Sequence, residues 1–314
     1  MVRAPERTLS EPPPATTARP AEQSRARYPD ETGFIQRNGI RVFYEAYGSG
    51  EPTIMLLPSW SIVHSRIWKM QVPDLARRFT VVTFDPRGNG RSSRPTSANG
   101  YAETEFAADA LAVMDATGTE RAVVVSLSRG ARPGLLLASD HPKRIAGAVF
   151  IAPALALGRS VPGRGGQVGF LERPESDVGW AKYNADYWRR EYGGFLEFFF
   201  SQCFSEPHST KAVEDAVAWG LETDSESLIL SDLTPGIGNR EAILERCARI
   251  RCPVLVIHGR DDGVRPHGDG EELAHATGGR LVTIEGGGHI PNVRDPVKVN
   301  LAIRDFATRL RYHR

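Results

Sequence analysis

The sequence predicts an α/β fold: a mostly parallel, twisted sheet with helices on both faces, plus an inserted helical unit. Two patterns carry this reading. Short apolar runs alternate with helix-like stretches, and the runs are continuous rather than alternating, as strands buried on both faces require. A third pattern sets one edge. Asn38-Gly39 separates strand-like residues 33–37 from 40–44, and Asn-Gly supplies the two positive-φ positions of a tight hairpin turn. The opening strands are therefore expected to be antiparallel.

After the hairpin, strands are predicted at residues 53–57, 79–84, 122–125, 146–151, 253–258 and 280–284. Pro73 is placed to open a short helix between the first two, because a first helical turn loses nothing through a missing N–H. Longer helices are predicted over 106–116, 134–140 and 297–312. Between 157 and 248 the alternation stops and aromatic residues crowd together, among them Trp180, Trp188, Phe195 and Phe199. That segment holds enough apolar material to fold as a unit. The organisation read from this is a tail at 1–28, a core from 29–156 and 249–314, and an insertion at 157–248 entered through the glycine-rich 163–169. The tail is rich in Pro, Ala, Thr, Glu and Arg. It buries too little apolar surface to offset its ordering entropy and is expected to be disordered.

The chain has 314 residues, 40% hydrophobic and 25% charged, an ordinary composition for a soluble protein. A formal net charge of +1 gives no broad field for nucleic acid or an anionic membrane. No apolar run has the length of a bilayer span, and the tail lacks the apolar stretch of a secretory signal. Cys203, Cys247 and Cys252 form no metal-ligand pattern, and an odd number of thiols fits a reducing cytoplasm. A small-molecule partner is expected, with no cofactor, no metal, no nucleic acid and no membrane.

Three segments carry the chemistry. Ser126-Leu127-Ser128-Arg129-Gly130 follows a strand-like run and precedes a helix-like one. Strand, sharp turn and helix is the context that projects a serine hydroxyl above a sheet. Ser128 is favoured over Ser126 because Gly130 stands two residues after it, where the turn brings backbone close to the helix. Gly259-Arg260-Asp261-Asp262 and Gly287-Gly288-His289 each follow a later strand. A histidine can take the serine proton during attack, provided an acid fixes its tautomer.

The order Ser…Asp…His resembles the α/β-hydrolase family, over about residues 33–310. The resemblance implies Ser128, Asp262 and His289 as a catalytic triad, within a capped serine hydrolase or esterase. Asp262 fits the family spacing of Gly-x-x-Asp, and Asp261 stays open as the acid. Ser126 stands where the family usually has Gly. The family's His-Gly after the third strand is here Pro58-Ser59-Trp60-Ser61. The oxyanion donors implied are the backbone N–H groups of Trp60 and Arg129, since backbone donation needs no particular side chain. The Arg129 side chain is read either as an anchor for a substrate anion or as a structural ion pair. His64, Trp188 and Phe199 are candidate substrate contacts. Asp85-Pro86-Arg87-Gly88-Asn89-Gly90 is read as a structural turn, since no phosphate-loop lysine follows. Relatives acting on halides or epoxides use an Asp nucleophile, so Ser128 points to acyl chemistry: an ester, lactone or thioester of a small, largely apolar substrate. Carbon–carbon bond hydrolysis by the same triad and a non-catalytic binding role are the alternatives.

Overall fold

The computed structural model describes residues 26–158, 169–173 and 175–311. Most of the expected tail, and residues 163–168 of the expected glycine-rich entry, lie outside the described residues.

Strands β1 (Glu31–Arg37) and β2 (Ile40–Tyr47) form the opening antiparallel hairpin. Asn38 at φ 50° and Gly39 at φ 78° turn it, as the Asn-Gly pair predicts. Strand β3 (Thr53–Leu56), helix α1 (Val72–Leu75, with Pro73 in its first turn) and β4 (Val81–Phe84) follow. Next come α2 (Glu103–Ala116), β5 (Ala122–Leu127), α3 (Ala131–Asp140) and β6 (Ile145–Ile151). Helices α4 (Ala185–Arg190), α5 (Tyr192–Cys203), α6 (Thr210–Gly220), α7 (Ser225–Asp232) and α8 (Arg240–Arg249) separate β6 from β7 (Val254–Gly259). The chain closes with α9 (His267–Thr277), β8 (Arg280–Ile284), α10 (Pro291–Arg294) and α11 (Pro296–Arg311).

The sheet runs β1-β2-β4-β3-β5-β6-β7-β8. β1, β2 and β4 pair antiparallel, and every pairing from β4 onward is parallel. Period-two alternation divides each central strand between two cores. Val123, Val125 and Leu127 of β5 face one cluster with α1 and α11; Ala122 and Val124 face the other with α2, α3, α8 and α9. Both faces are covered, which explains why the strands read as unbroken apolar runs.

The insertion is not uniform. Trp188, Phe195, Phe199, Phe200, Trp219 and Leu228 join the first cluster, continuous with Trp60, Ile62 and Ile67 of the core. Helix α8 instead places Ile243 and Cys247 in the second cluster, among α3 and α9. Residues 240–249 therefore pack with the sheet's helices rather than with α4–α7, although the sequence groups them with the insertion.

Candidate active site

β5 ends at the centre of the sheet, and the chain turns there through Ser128 at φ 52°. A non-glycine residue in this left-handed region is strained, and such strain is stored where a side chain must be aimed. Small neighbours make the turn feasible. A Cβ on Gly130 would lie 2.4 Å from the Pro58 carbonyl oxygen. The Ser126 hydroxyl, 3.1 Å from the Val149 carbonyl, is tucked where a Cβ on Gly134 would meet it at 3.2 Å. The turn is thus wedged between the loop after β3 and the first turn of α3.

The later segments arrive at the same sheet edge. His289 Nε2 lies 2.8 Å from Ser128 Oγ, and His289 Nδ1 lies 2.7 Å from Asp262 Oδ2. Asp261, by contrast, is exposed. Asp262 Oδ1 accepts from the backbone N–H groups of Val264 and Arg265, both at 2.8 Å. Burial by itself would raise the Asp262 carboxyl. Attraction to the His289 ring whenever it is protonated, and the hydrogen bonds from His258 and His289, outweigh it and hold the group well below the usual carboxylate range. An ionised Asp262 can only accept, so His289 carries its proton on Nδ1 and presents a bare Nε2 to the Ser128 hydroxyl. Such an imidazole can take the serine proton as the hydroxyl oxygen attacks.

Glycines let these segments meet. A Cβ on Gly259, the last residue of β7, would lie 2.2 Å from the carbonyl oxygens of both Gly287 and Gly288. Gly259→Ala is therefore expected to push the His289 loop off the sheet. It should lower both the melting temperature and the activity, by about 10-fold or more in kcat if His289 shifts by about 1 Å. Thermal melts and ester turnover of the purified variant check this.

His258 was not singled out by the sequence, yet it sits beside the acid. Its Nε2 lies 2.9 Å from Asp262 Oδ2, the oxygen that His289 also engages, and 3.3 Å from the Arg265 carbonyl. Both neighbours are acceptors, so Nε2 donates; Nδ1 has no hydrogen-bond partner among the described residues. His258 thus pins Asp262 through Nε2. A histidine next to the end of a buried strand, four residues before the acid, is the signal that could have revealed it.

Above Ser128 lies a cavity of about 340 Å³, including its opening to solvent. Ser59, Trp60, Ile62, Val63, Ile67, Leu127, Phe199, Phe200, Cys203 and Ile290 line it with Ser128 and His289. Among the described residues, no Asp, Glu, Lys or Arg belongs to that lining. Of the three expected substrate contacts, Phe199 takes part, whereas His64 and Trp188 do not. The His64 ring accepts from Arg66 N–H, faces Glu222 at 3.2 Å and lies against the Trp219 ring. Trp188 is fully buried inside the insertion, against Phe195 at 4.3 Å, with Nε1 donating to the Lys182 carbonyl. Each is engaged by a polar partner that the sequence does not reveal.

Arg129 resolves between its two readings. Its guanidinium pairs with Asp232 at 2.8 Å and Glu103 at 3.4 Å, and donates to the Ser231 carbonyl at 3.0 Å. Two carboxylates already occupy the charge, which leaves no anchor for a substrate anion. Its backbone N–H opens the turn that leads into α3, where first-turn N–H groups have no intrahelical acceptor. The turn at 85–90 is structural as read: Asp85 accepts from Ser65 and Arg91, and Arg87 is buried on Asp109.

Residues 52–296 match the family model of the alpha/beta hydrolase fold. The chain belongs to the α/β-hydrolase fold family. The Caulobacter segnis protein named "Putative carbamate hydrolase RutD" is 36% identical over 113 residues, a match covering 35% of this chain and 42% of that protein. The chain thus spans about two fifths of the length of the first curated relatives it matches. The AB hydrolase superfamily protein YisY of Bacillus subtilis is 24% identical over 85% of this chain and 96% of its own. Among solved structures, the enol-lactonase of Burkholderia xenovorans LB400 superposes with a TM-score of 0.73, at 23% identity, covering 88% of this chain and all of its own. Among the described residues, no helix of this α/β hydrolase is long and apolar enough to cross a membrane.

Proposed function

We propose that the chain is a serine hydrolase that cleaves a carboxylic ester, lactone or thioester of a small, neutral, largely apolar substrate. The observation that carries this is the relay Ser128 Oγ, His289 Nε2, His289 Nδ1, Asp262 Oδ2, with links of 2.8 and 2.7 Å, at the floor of an apolar cavity. Ser128 Oγ adds to the acyl carbon while His289 takes its proton. The developing oxyanion is met by the N–H groups of Trp60 and Arg129. The tetrahedral species collapses as His289 returns the proton to the leaving alkoxide, giving an acyl-enzyme. Water, deprotonated by the same imidazole, then releases the acid and regenerates Ser128.

The lining supports the substrate class. Among the described residues nothing charged lines the cavity, so a carboxylate or phosphate on the acyl group would enter without a charged partner and bear a desolvation cost. Helices α4–α7 act as a cap over it, with α8 assigned to the core. A cytoplasmic setting, expected from the thiols, belongs to the same proposal. Carbon–carbon bond hydrolysis would use the same relay. A purely binding role has no need for the ordered Ser128 to Asp262 chain.

Incubation with a fluorophosphonate probe, followed by peptide mass spectrometry, tests the reading. Labelling is expected at Ser128 and is expected to disappear in His289→Ala. Folded wild-type protein that takes no label would remove the acyl-transfer reading and favour a binding role.

A further inference from the structure

The two residues proposed to donate the oxyanion N–H groups are held, by their side chains, on one turn of the cap. Trp60 Nε1 donates to Ser231 Oγ at 2.8 Å. Arg129 donates to the Ser231 carbonyl at 3.0 Å and to Asp232 Oδ1 at 2.8 Å. The Arg129 guanidinium also lies 4.9 Å from the centre of the Trp60 ring, closing the circuit. Ser231 and Asp232 are the last two residues of α7. Trp60 follows β3 and Arg129 follows β5, neighbouring strands of the core, so the end of α7 bridges the two loops that leave them.

We propose that this turn of α7 is a positioning device for the oxyanion hole: the hole is set when the cap is docked and loosens when the cap lifts. The inference rests on the serine-hydrolase reading above. The physical basis is the departure at Ser59. Backbone lacking the usual Gly after β3 has fewer conformations that aim Trp60 N–H at the site, and an anchored side chain selects among them. Ser231 Oγ is itself fixed, because it donates to the Leu228 carbonyl at 2.7 Å and so offers its lone pair to Trp60 in one direction. Tyr183 adds a brace, its hydroxyl donating to Asp232 Oδ1 at 2.8 Å while its ring stacks near Trp60. Neither Ser231 nor Asp232 lines the cavity above Ser128. Their effect reaches the substrate only through Trp60 and Arg129.

A donor aimed at the oxyanion acts in the transition state more than in the bound substrate, so loosening it lowers kcat with little change in KM. The test is turnover of a short-chain p-nitrophenyl ester by wild type, Ser231→Ala, Trp60→Phe and the double variant, with melting curves for each. Both single variants remove the same hydrogen bond and keep the Arg129 ion pairs. Each is expected to lower kcat about tenfold with KM held within about twofold, a part of the loss that follows outright removal of a donor. The double variant is expected to lose no more than about the larger single loss, since the two side chains act as one link. Folded Ser231→Ala with unchanged kcat, a loss confined to KM, or fully additive losses would each overturn the proposal. If Ser231→Ala does not fold, Trp60→Phe decides by the same kcat criterion. Fluorophosphonate labelling of wild-type Ser128 separates the two levels. Labelled, active wild type with an indifferent Ser231→Ala sinks only the cap coupling, whereas unlabelled wild type sinks the serine-hydrolase reading itself.

Discussion

Ser128→Ala is expected to cut hydrolysis of an activated ester by about 10⁴- to 10⁶-fold, the range seen when a nucleophile that works as a unit with its base is removed. The fold should survive, because Ser128 is only partly buried and its hydroxyl makes one side-chain hydrogen bond, to His289. The backbone adds a second expectation. Ser128 occupies φ 52°, and alanine inherits that left-handed strain. Glycine does not, and the strain for an L-residue is about 1–2 kcal/mol. Ser128→Gly should therefore be as inactive as Ser128→Ala and melt at a higher temperature. Turnover and calorimetry on the pair check both statements. Activity retained in either variant removes Ser128 from the chemistry, and equal melting temperatures remove the claim of stored strain.

Asp262→Asn is the second large effect, expected at about 10⁴-fold in kcat. The introduced amide would turn its oxygen to the N–H groups of Val264 and Arg265 and its NH₂ toward His289 and His258. A donor facing His289 Nδ1 forces the proton onto Nε2, the wrong tautomer for taking a proton from Ser128. The same NH₂ meets the donating Nε2 of His258, so stability falls as well. The pH dependence has a definite sign. The Asp262 pKa is depressed below its ordinary 3.8 by the histidines that overcome its burial. Its ionised form thus contributes stability that is present above the ordinary value and is lost as pH falls through the native value. The gap in melting temperature between wild type and Asp262→Asn is expected to be widest near neutrality and to close in strong acid. A gap independent of pH would contradict the charge-based account.

Much of the frame was legible because it rests on local backbone demands. Asn38-Gly39 turns where a positive φ is needed at two successive positions, and Pro73 sits in a first helical turn. Gly130 and Gly259 stand where any Cβ would strike a carbonyl oxygen. Boundaries moved little: the predicted 280–284 strand is β8 unchanged, while the predicted 134–140 helix begins earlier, at Ala131. Pro133 lies in the first turn of that helix, where proline is well tolerated. The 157–248 insertion reads as one unit in the sequence, yet α8 within it packs on α3 and α9, a choice of face that the helix pattern does not name.

The sequence by itself determined the order and kind of the strands, the strained turn at Ser128, and the two later strand ends that bear Asp262 and His289. These follow from short-range sterics, which a few adjacent residues encode. Only the tertiary structure decided which partner each polar side chain takes. Arg129 meets Asp232 across 103 residues, Trp60 meets Ser231 across 171, and His64 meets Glu222 across 158. His258 gained its place only when β7 and the loop after β8 converged on one carboxylate oxygen. Buried polar groups must find partners wherever the packed chain supplies them, and that supply is a property of the assembled layers rather than of any segment.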